Sequence, residues 1–238
     1  MGAKVLGSRA RRSTDDMGKG EMTIGGRHLS LRDQVMVELR SRIVNGHYPP
    51  GERLREERLA DDFGVSRNPV REALRVVEAE GFIEMLPRRG AIVRTPDLDS
   101  VRDMFMVRGR LETLAARLAA ERATPDDVAS LRELLSRARE ATDAEDFAQV
   151  SELNSALHLR VIEISGNRWL ASIATSMYLH VQWVFRISAA DRAPHSWAEH
   201  TQLVDAIAAG NAEEAEAAAW RHVNMAGSAA SESLRSFK

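Results

Sequence analysis

The stretch Gly64-Val65-Ser66-Arg67-Asn68-Pro69-Val70-Arg71-Glu72-Ala73-Leu74 is punctuated like the joint between two short helices. Gly64 readily supplies the left-handed turn that ends one helix, and Ser66 is suited to cap the start of the next. From there Val70, Ala73, Leu74 and Val77 recur at helical spacing and predict a buried stripe, while Arg67, Asn68, Arg71 and Arg75 fall on the opposite face. Upstream, Leu59 and Phe63 face inward from a helix over roughly 55–63. A first helix starts at Leu31 with Val35, Leu39 and Ile43, and is stopped by Asn45-Gly46 and Pro49-Pro50-Gly51. Downstream, Gly81 ends the third helix. Residues 82–86 and 91–94 then read as two short β segments closed by the basic loop Pro87-Arg88-Arg89-Gly90.

This order predicts a winged helix-turn-helix over residues 29–95. Residues 1–28 mix Gly, Ser, Arg and Asp without an apolar period and read as a flexible tail. Pro96 marks the boundary, and from 97 to 234 helical periodicity rich in Ala, Leu, Glu and Arg runs on with no strand pattern. The expected architecture is mainly α: the winged domain with its small β wing, then an all-α bundle of about six or seven helices. Local start signals support it: Thr124-Pro125-Asp126-Asp127 combines an N-cap, a first-turn proline and acids, and Asn211 with Glu214 has capping-box spacing. Gly166-Asn167 and Gly210 mark helix ends.

The two parts differ in charge. Residues 1–95 carry 18 basic against 14 acidic side chains, and the remainder carries 15 against 21. A polyanionic partner therefore suits the first part alone. The 238 residues include no cysteine, which excludes disulfides, thiolate zinc sites and thiol nucleophiles. No apolar run is long enough to span a membrane, so a cytoplasmic protein without membrane association is expected.

Reading a DNA major groove requires a helix anchored by one apolar face, with donors near the N-terminus of the other. The third helix meets both conditions, and its N-terminus attracts a phosphate besides. On charge pattern alone, a solvated face supported by Glu72 and Glu78 is the better reading of the same arginines. The basic Gly-containing loop that follows adds a second cationic element able to track the backbone or enter the minor groove.

Pro50-Gly51-Glu52-Arg53-Leu54, Leu59-Ala60, the stretch from Gly64 to Leu74, Glu80-Gly81 and Arg89-Gly90 together resemble the DNA-binding domain of GntR-family regulators. The resemblance implies that Ser66, Arg67, Asn68, Pro69 and Arg71 meet DNA from the recognition helix, and Arg89 and Gly90 from the wing tip. Asn68 stands where the family usually has Thr. Glu57 stands where many members carry Arg, which would leave Arg55 or Arg58 to supply that phosphate contact.

In the helical part, Asn154 and His158 lie four apart, His200 precedes Leu203 and Ile207, and His222 shares a face with Ala215, Ala218 and Ala219. Such placement could close four ligands around one cation in a bundle core, or simply bury hydrogen-bonded histidines. This segment resembles the C-terminal FCD domain of the FadR subfamily, with Arg108 and Glu112 before Leu118-Ala119-Ala120, then Asn154, His158, His200 and His222 in its order. The resemblance implies a divalent metal held by Asn154, His158, His200 and His222. Asn154 replaces the more usual Asp with a neutral, weaker oxygen, though three imidazoles still suit zinc or nickel. It also implies a small carboxylate-bearing effector, for which Arg108 is the expected cation, its alternative being a surface ion pair with Glu112.

The expected function is a homodimeric, ligand-responsive transcription regulator acting on double-stranded operator DNA, and not an enzyme. Two other classes are alternatives: a metal-dependent enzyme acting on a small organic acid, for which Glu163 shares a helix with His158 but its spacing does not place it on the metal face, and a helical module whose winged domain binds protein.

Overall fold

The computed structural model describes residues 29–87 and 89–236, leaving aside the side chains of 187–191, 194 and 236. The tail expected over 1–28 and Arg88 of the wing loop lie outside the described residues.

Helix α1 (Leu31–Val44) buries Val35, Leu39, Ile43 and Val44 and is capped by Ser30, whose hydroxyl accepts from the Asp33 amide. A short strand β1 (Arg53–Leu54) follows, then α2 (Glu56–Phe63), which ends at Gly64 with φ 64°. Helix α3 (Arg67–Ala79) buries Val70, Ala73, Leu74 and Val77, the stripe expected from their spacing. Strands β2 (Ile83–Leu86) and β3 (Gly90–Val93) form the wing, paired antiparallel from Ile83 opposite Val93 to Leu86 opposite Gly90.

The wing is wider than two strands. β1 pairs with β3, giving the sheet order β1-β3-β2. Two residues are too few for an alternating pattern, so β1 is visible only through its partner. The pairing explains Gly90: its φ is 84°, and a Cβ there would stand 2.2 Å from the Leu54 carbonyl oxygen. Only glycine fits so close an approach.

Asp97 caps α4 (Leu98–Arg122). Thr124 and Asp127 make the reciprocal capping box that opens α5 (Pro125–Asp143), and α6 (Phe147–Ile164) ends before Gly166. α7 (Arg168–Ala208) and α8 (Ala212–Ser236) complete the bundle, the latter opened by Asn211 accepting from the Glu214 amide at 3.1 Å. Among the described residues the helical part thus has five helices rather than six or seven, because positions 168–208 form one unbroken helix of 41 residues.

That helix spans both parts of the molecule. One core gathers Leu39, Ile43, Leu74, Phe82 and their neighbours, and Trp183 of α7 belongs to it. A second core lies among α4–α8, with Leu131, Leu157, Ala174 and Ile207 at its centre. At the junction, the His180 ring stacks on Phe82 at 4.3 Å, and its Nε2 lies 2.8 Å from the carbonyl of Glu80, the residue that ends α3. Gln182 donates to Asn45 at 3.3 Å. None of the helices among the described residues is long and apolar enough to cross a membrane.

Candidate functional site

Two places in the fold carry the predicted functional residues. The first is the outer face of α3 with the wing. Ser66, Arg67, Asn68, Arg71 and Arg89 are exposed, and Pro69 and Gly90 are half-buried. Ser66 has the extended backbone of an N-cap, yet its hydroxyl makes no capping bond, so it and the first-turn amides are left to accept or donate elsewhere. Pro69 sits in that first turn, where the N–H it lacks would have had no helical partner.

The arginines are held by acids from α2. Arg71 grips Glu56 through Nη2 at 2.7 Å and Nε at 3.2 Å, and the hydrogen bond to Arg71 holds the Glu56 carboxyl below its ordinary range. Arg67 pairs with Glu57 at 2.7 Å. Glu57 therefore faces the same cleft as Arg67 and Arg71. Arg58 is drawn towards Glu52 and Asp62 instead, while Arg55 lines the cleft. Arg53 donates to the Arg89 carbonyl at 3.0 Å, fixing the wing tip against β1.

The second place is the interior of the bundle. His158 on α6, His200 on α7 and His222 on α8 are each 0–2% exposed, and each offers a ring nitrogen within 4.8 Å of the others. His200 Nε2 lies 3.0 Å from His158 Nε2 and 3.2 Å from His222 Nε2. Their other nitrogens decide what converges there. His158 Nδ1 is 3.0 Å from Glu112, and His222 Nδ1 is 2.8 Å from Glu199. Each Nδ1–H donates to its carboxylate, which leaves Nε2 as the acceptor atom of each ring. Burial pushes the pKa of all three histidines down, for His200 and His222 well below the ordinary value, so neutral imidazole is the stable form. Neutral imidazole is also the form that ligates metals.

Asn154 lies one helical turn before His158 and is 1% exposed, and its Oδ1 has no hydrogen-bond partner. A buried, unmatched amide oxygen is costly unless something accepts its lone pairs, and a cation does. Three neutral imidazoles and one orphaned oxygen are a donor set that fits a borderline divalent ion, which would take the place of Arg108 Nη2 at His158 Nε2.

Arg108 and Glu112 form a buried pair, 1% and 4% exposed, and not the surface pair that was the alternative reading. Arg108 Nε donates to Glu112, and Nη2 reaches His158 Nε2 at 3.0 Å. Burial works against ionised Glu112, but Arg108 and His158 overcome it and hold the carboxyl well below its usual range. The Tyr178 hydroxyl also donates to Glu112. Glu163, the candidate base of the enzyme reading, is 62% exposed and paired with Arg160.

Glu199, Tyr178 and the buried Arg192 were not singled out by the sequence reading. Arg192 Nη2 donates to Glu199 at 2.5 Å, completing a chain from Arg192 through Glu199 to His222. The spacing Arg192, Ser196, His200 along one helix face was the available signal for Arg192.

Residues 31–93 match the family described as bacterial regulatory proteins, gntR family, and residues 103–225 match the FCD domain. The chain is 31% identical to the galactonate operon transcriptional repressor of Escherichia coli, over 80% of this chain and 93% of that one. It is 28% identical to the HTH-type transcriptional regulator YdhC of Bacillus subtilis, over 80% and 87%. Among solved structures, E. coli McbR/YncC superposes with a TM-score of 0.75 at 23% identity, covering 89% of this chain and all of that one, which speaks for the fold. A GntR-type winged helix followed by an FCD helical domain is thus matched along most of its length, and the chain belongs to the GntR family of bacterial transcriptional regulators.

Proposed function

We propose that this protein is a cytoplasmic, homodimeric, ligand-responsive transcription regulator of the FadR subfamily, in which residues 29–95 read operator DNA and residues 97–234 bind the signal. Ser66, Arg67, Asn68, Pro69 and Arg71 meet the duplex from α3, and Arg89 and Gly90 meet it from the wing. The exposed Met106, Val107, Trp220 and Met225 give α4 and α8 an apolar face suited to a second copy.

Asn154, His158, His200 and His222 hold a divalent ion of the zinc or nickel kind, oriented by Glu112 and Glu199. Such an ion, when bound, supplies a Lewis acid that takes a carboxylate oxygen of the effector. Arg108 lies beside that position, and the relative named for a galactonate operon supports an organic acid as the signal.

The observation that carries the reading is the course of α7. This one helix bears His200, sends Tyr178 to Glu112, and two residues later places His180 against the end of the recognition helix. A shift in the buried site therefore reaches α3 through a rigid element, and the ligand's differential affinity for the two arrangements sets the response. The test measures metal content and operator affinity together. His200→Ala should lose bound metal and change how operator affinity responds to added zinc, while unaltered metal content would remove the proposed centre.

A further inference from the structure

Where the two parts of the molecule meet, a cavity of about 350 Å³ lies between α4 and α7. Its walls are two stripes at helical spacing, Val101 and Met104 on α4 and Met177, His180 and Val184 on α7. Glu80, which ends α3, and Arg94, just past β3, line it from the DNA-binding part. None of the three clustered histidines lines it. A largely apolar cavity of this size, placed between domains and carrying a few polar groups, is the ordinary form of a small-molecule site.

The polar groups set the kind of molecule. His180 Nε2 lies 2.8 Å from the Glu80 carbonyl, which can only accept, so Nε2 carries the proton and Nδ1 is left as an acceptor. The Glu80 carboxylate takes Arg40 on Oε1 at 2.8 Å, while its Oε2 is buried without a partner. An acceptor nitrogen beside a carboxylate with unused capacity favours a cation that bears N–H groups. Trp183 lines the same space, and indole is the aromatic group that best attracts a cation. The Met104 and Met177 thioethers are polarisable and adapt to an apolar body. Arg94 opposes a cation, but it is exposed, with the equally exposed Asp97 beside it in the lining, so its charge is screened.

We propose that this cavity is a second ligand site, separate from the histidine centre, and that it takes a small lipophilic amine. The ammonium donates to His180 Nδ1 within the field of Glu80, and the apolar body lies among Met104, Met177 and Val184. His180 and Glu80 also form the contact between α7 and the end of α3, so an occupant bears directly on how the recognition helix is held.

The test uses 2-phenylethylamine, a cation at neutral pH, against 2-phenylethanol and 3-phenylpropionate, which keep the ring and change the charge. Each is titrated calorimetrically into the full-length protein, with circular dichroism to confirm that every variant is folded. The wild type binds the amine saturably, about tenfold more tightly than the alcohol, with the propionate weakest, as a charge-assisted hydrogen bond implies. Glu80→Gln preserves the shape and brings the amine down to the alcohol. His180→Phe keeps the stack on Phe82, lacks Nδ1 and weakens the amine in the same way, which covers the case in which Glu80→Gln does not fold. Arg94→Ala binds the amine at least as tightly as the wild type, and His200→Ala still binds it. No saturable binding of the amine by the wild type overturns the proposal, as does a preference for the propionate or wild-type amine affinity in both Glu80→Gln and His180→Phe. Loss of amine binding in His200→Ala also overturns it, because the amine would then occupy the histidine centre.

Discussion

Replacing Trp183 with alanine tests whether α7 completes the core of the DNA-binding part. Trp183 is 5% exposed and packs within the cluster that holds Leu39, Leu74 and Phe82, its ring 5.3 Å from that of Phe82. A tryptophan buries about 150–250 Å². At roughly 25 cal/mol per Å² the transfer term alone is about 4–6 kcal/mol, an upper figure because unfolded chains already bury some of it. Measured aromatic-to-alanine losses in cores are about 3–5 kcal/mol, and that is the expected destabilisation. Trp169 lies on the same helix but is 80% exposed, so Trp169→Ala should cost about 0.5 kcal/mol or less. The assay is urea unfolding of the full-length variants, with hydrogen exchange read over residues 77–93. Trp183→Ala should lose protection there while the far half of the bundle, around Leu131 and Leu157, keeps it. A Trp183→Ala stability no lower than that of Trp169→Ala, with protection over 77–93 unchanged, would refute the claim that the two parts share a core.

Glu112→Ala strands Arg108 in the interior without its counter-charge, and thermal or chemical unfolding should show a loss of about 3–5 kcal/mol, against little change for exposed Glu163→Ala. Gly90→Ala forces a Cβ against the Leu54 carbonyl at positive φ, so the wing should lose hydrogen-exchange protection and stability should fall by about 2 kcal/mol or more. Glu56→Ala frees Arg71 from its bidentate hold, and mobility shift should show weaker specific binding with non-specific binding kept or raised. His180→Ala should leave operator binding in place but blunt its response to zinc, read as a smaller difference between zinc-loaded and chelated protein.

The local elements were legible because their signals are short-range. The buried stripe of α3, the left-handed stop at Gly64, the Thr124 box and the Asn211 cap follow from neighbours within one or two turns. The three histidines were legible too, as polar residues on faces otherwise made of Leu, Ile and Ala. What could not be read depends on partners far apart in the chain. β1 exists only because β3 pairs with it, and the length of α7 is fixed by packing against both cores rather than by propensity. Glu199 sits beside His200 in the chain yet serves His222, a pairing that requires α7 and α8 to be laid together. Spacing alone leaves Arg108 and Glu112 open between an effector contact and a surface i,i+4 pair, and only the bundle shows the pair to be buried.

The central claim is that the cationic face of α3 and the wing reads a particular duplex. Its most direct test is fluorescence anisotropy of wild type and Arg71→Ala on a duplex from the protein's own promoter and on a scrambled duplex, over a range of salt. The wild type should prefer the promoter duplex, and Arg71→Ala should lose about 1–3 kcal/mol of that preference. Equal affinity of the wild type for both duplexes at every salt concentration, with Arg71→Ala indistinguishable from it, would contradict the account.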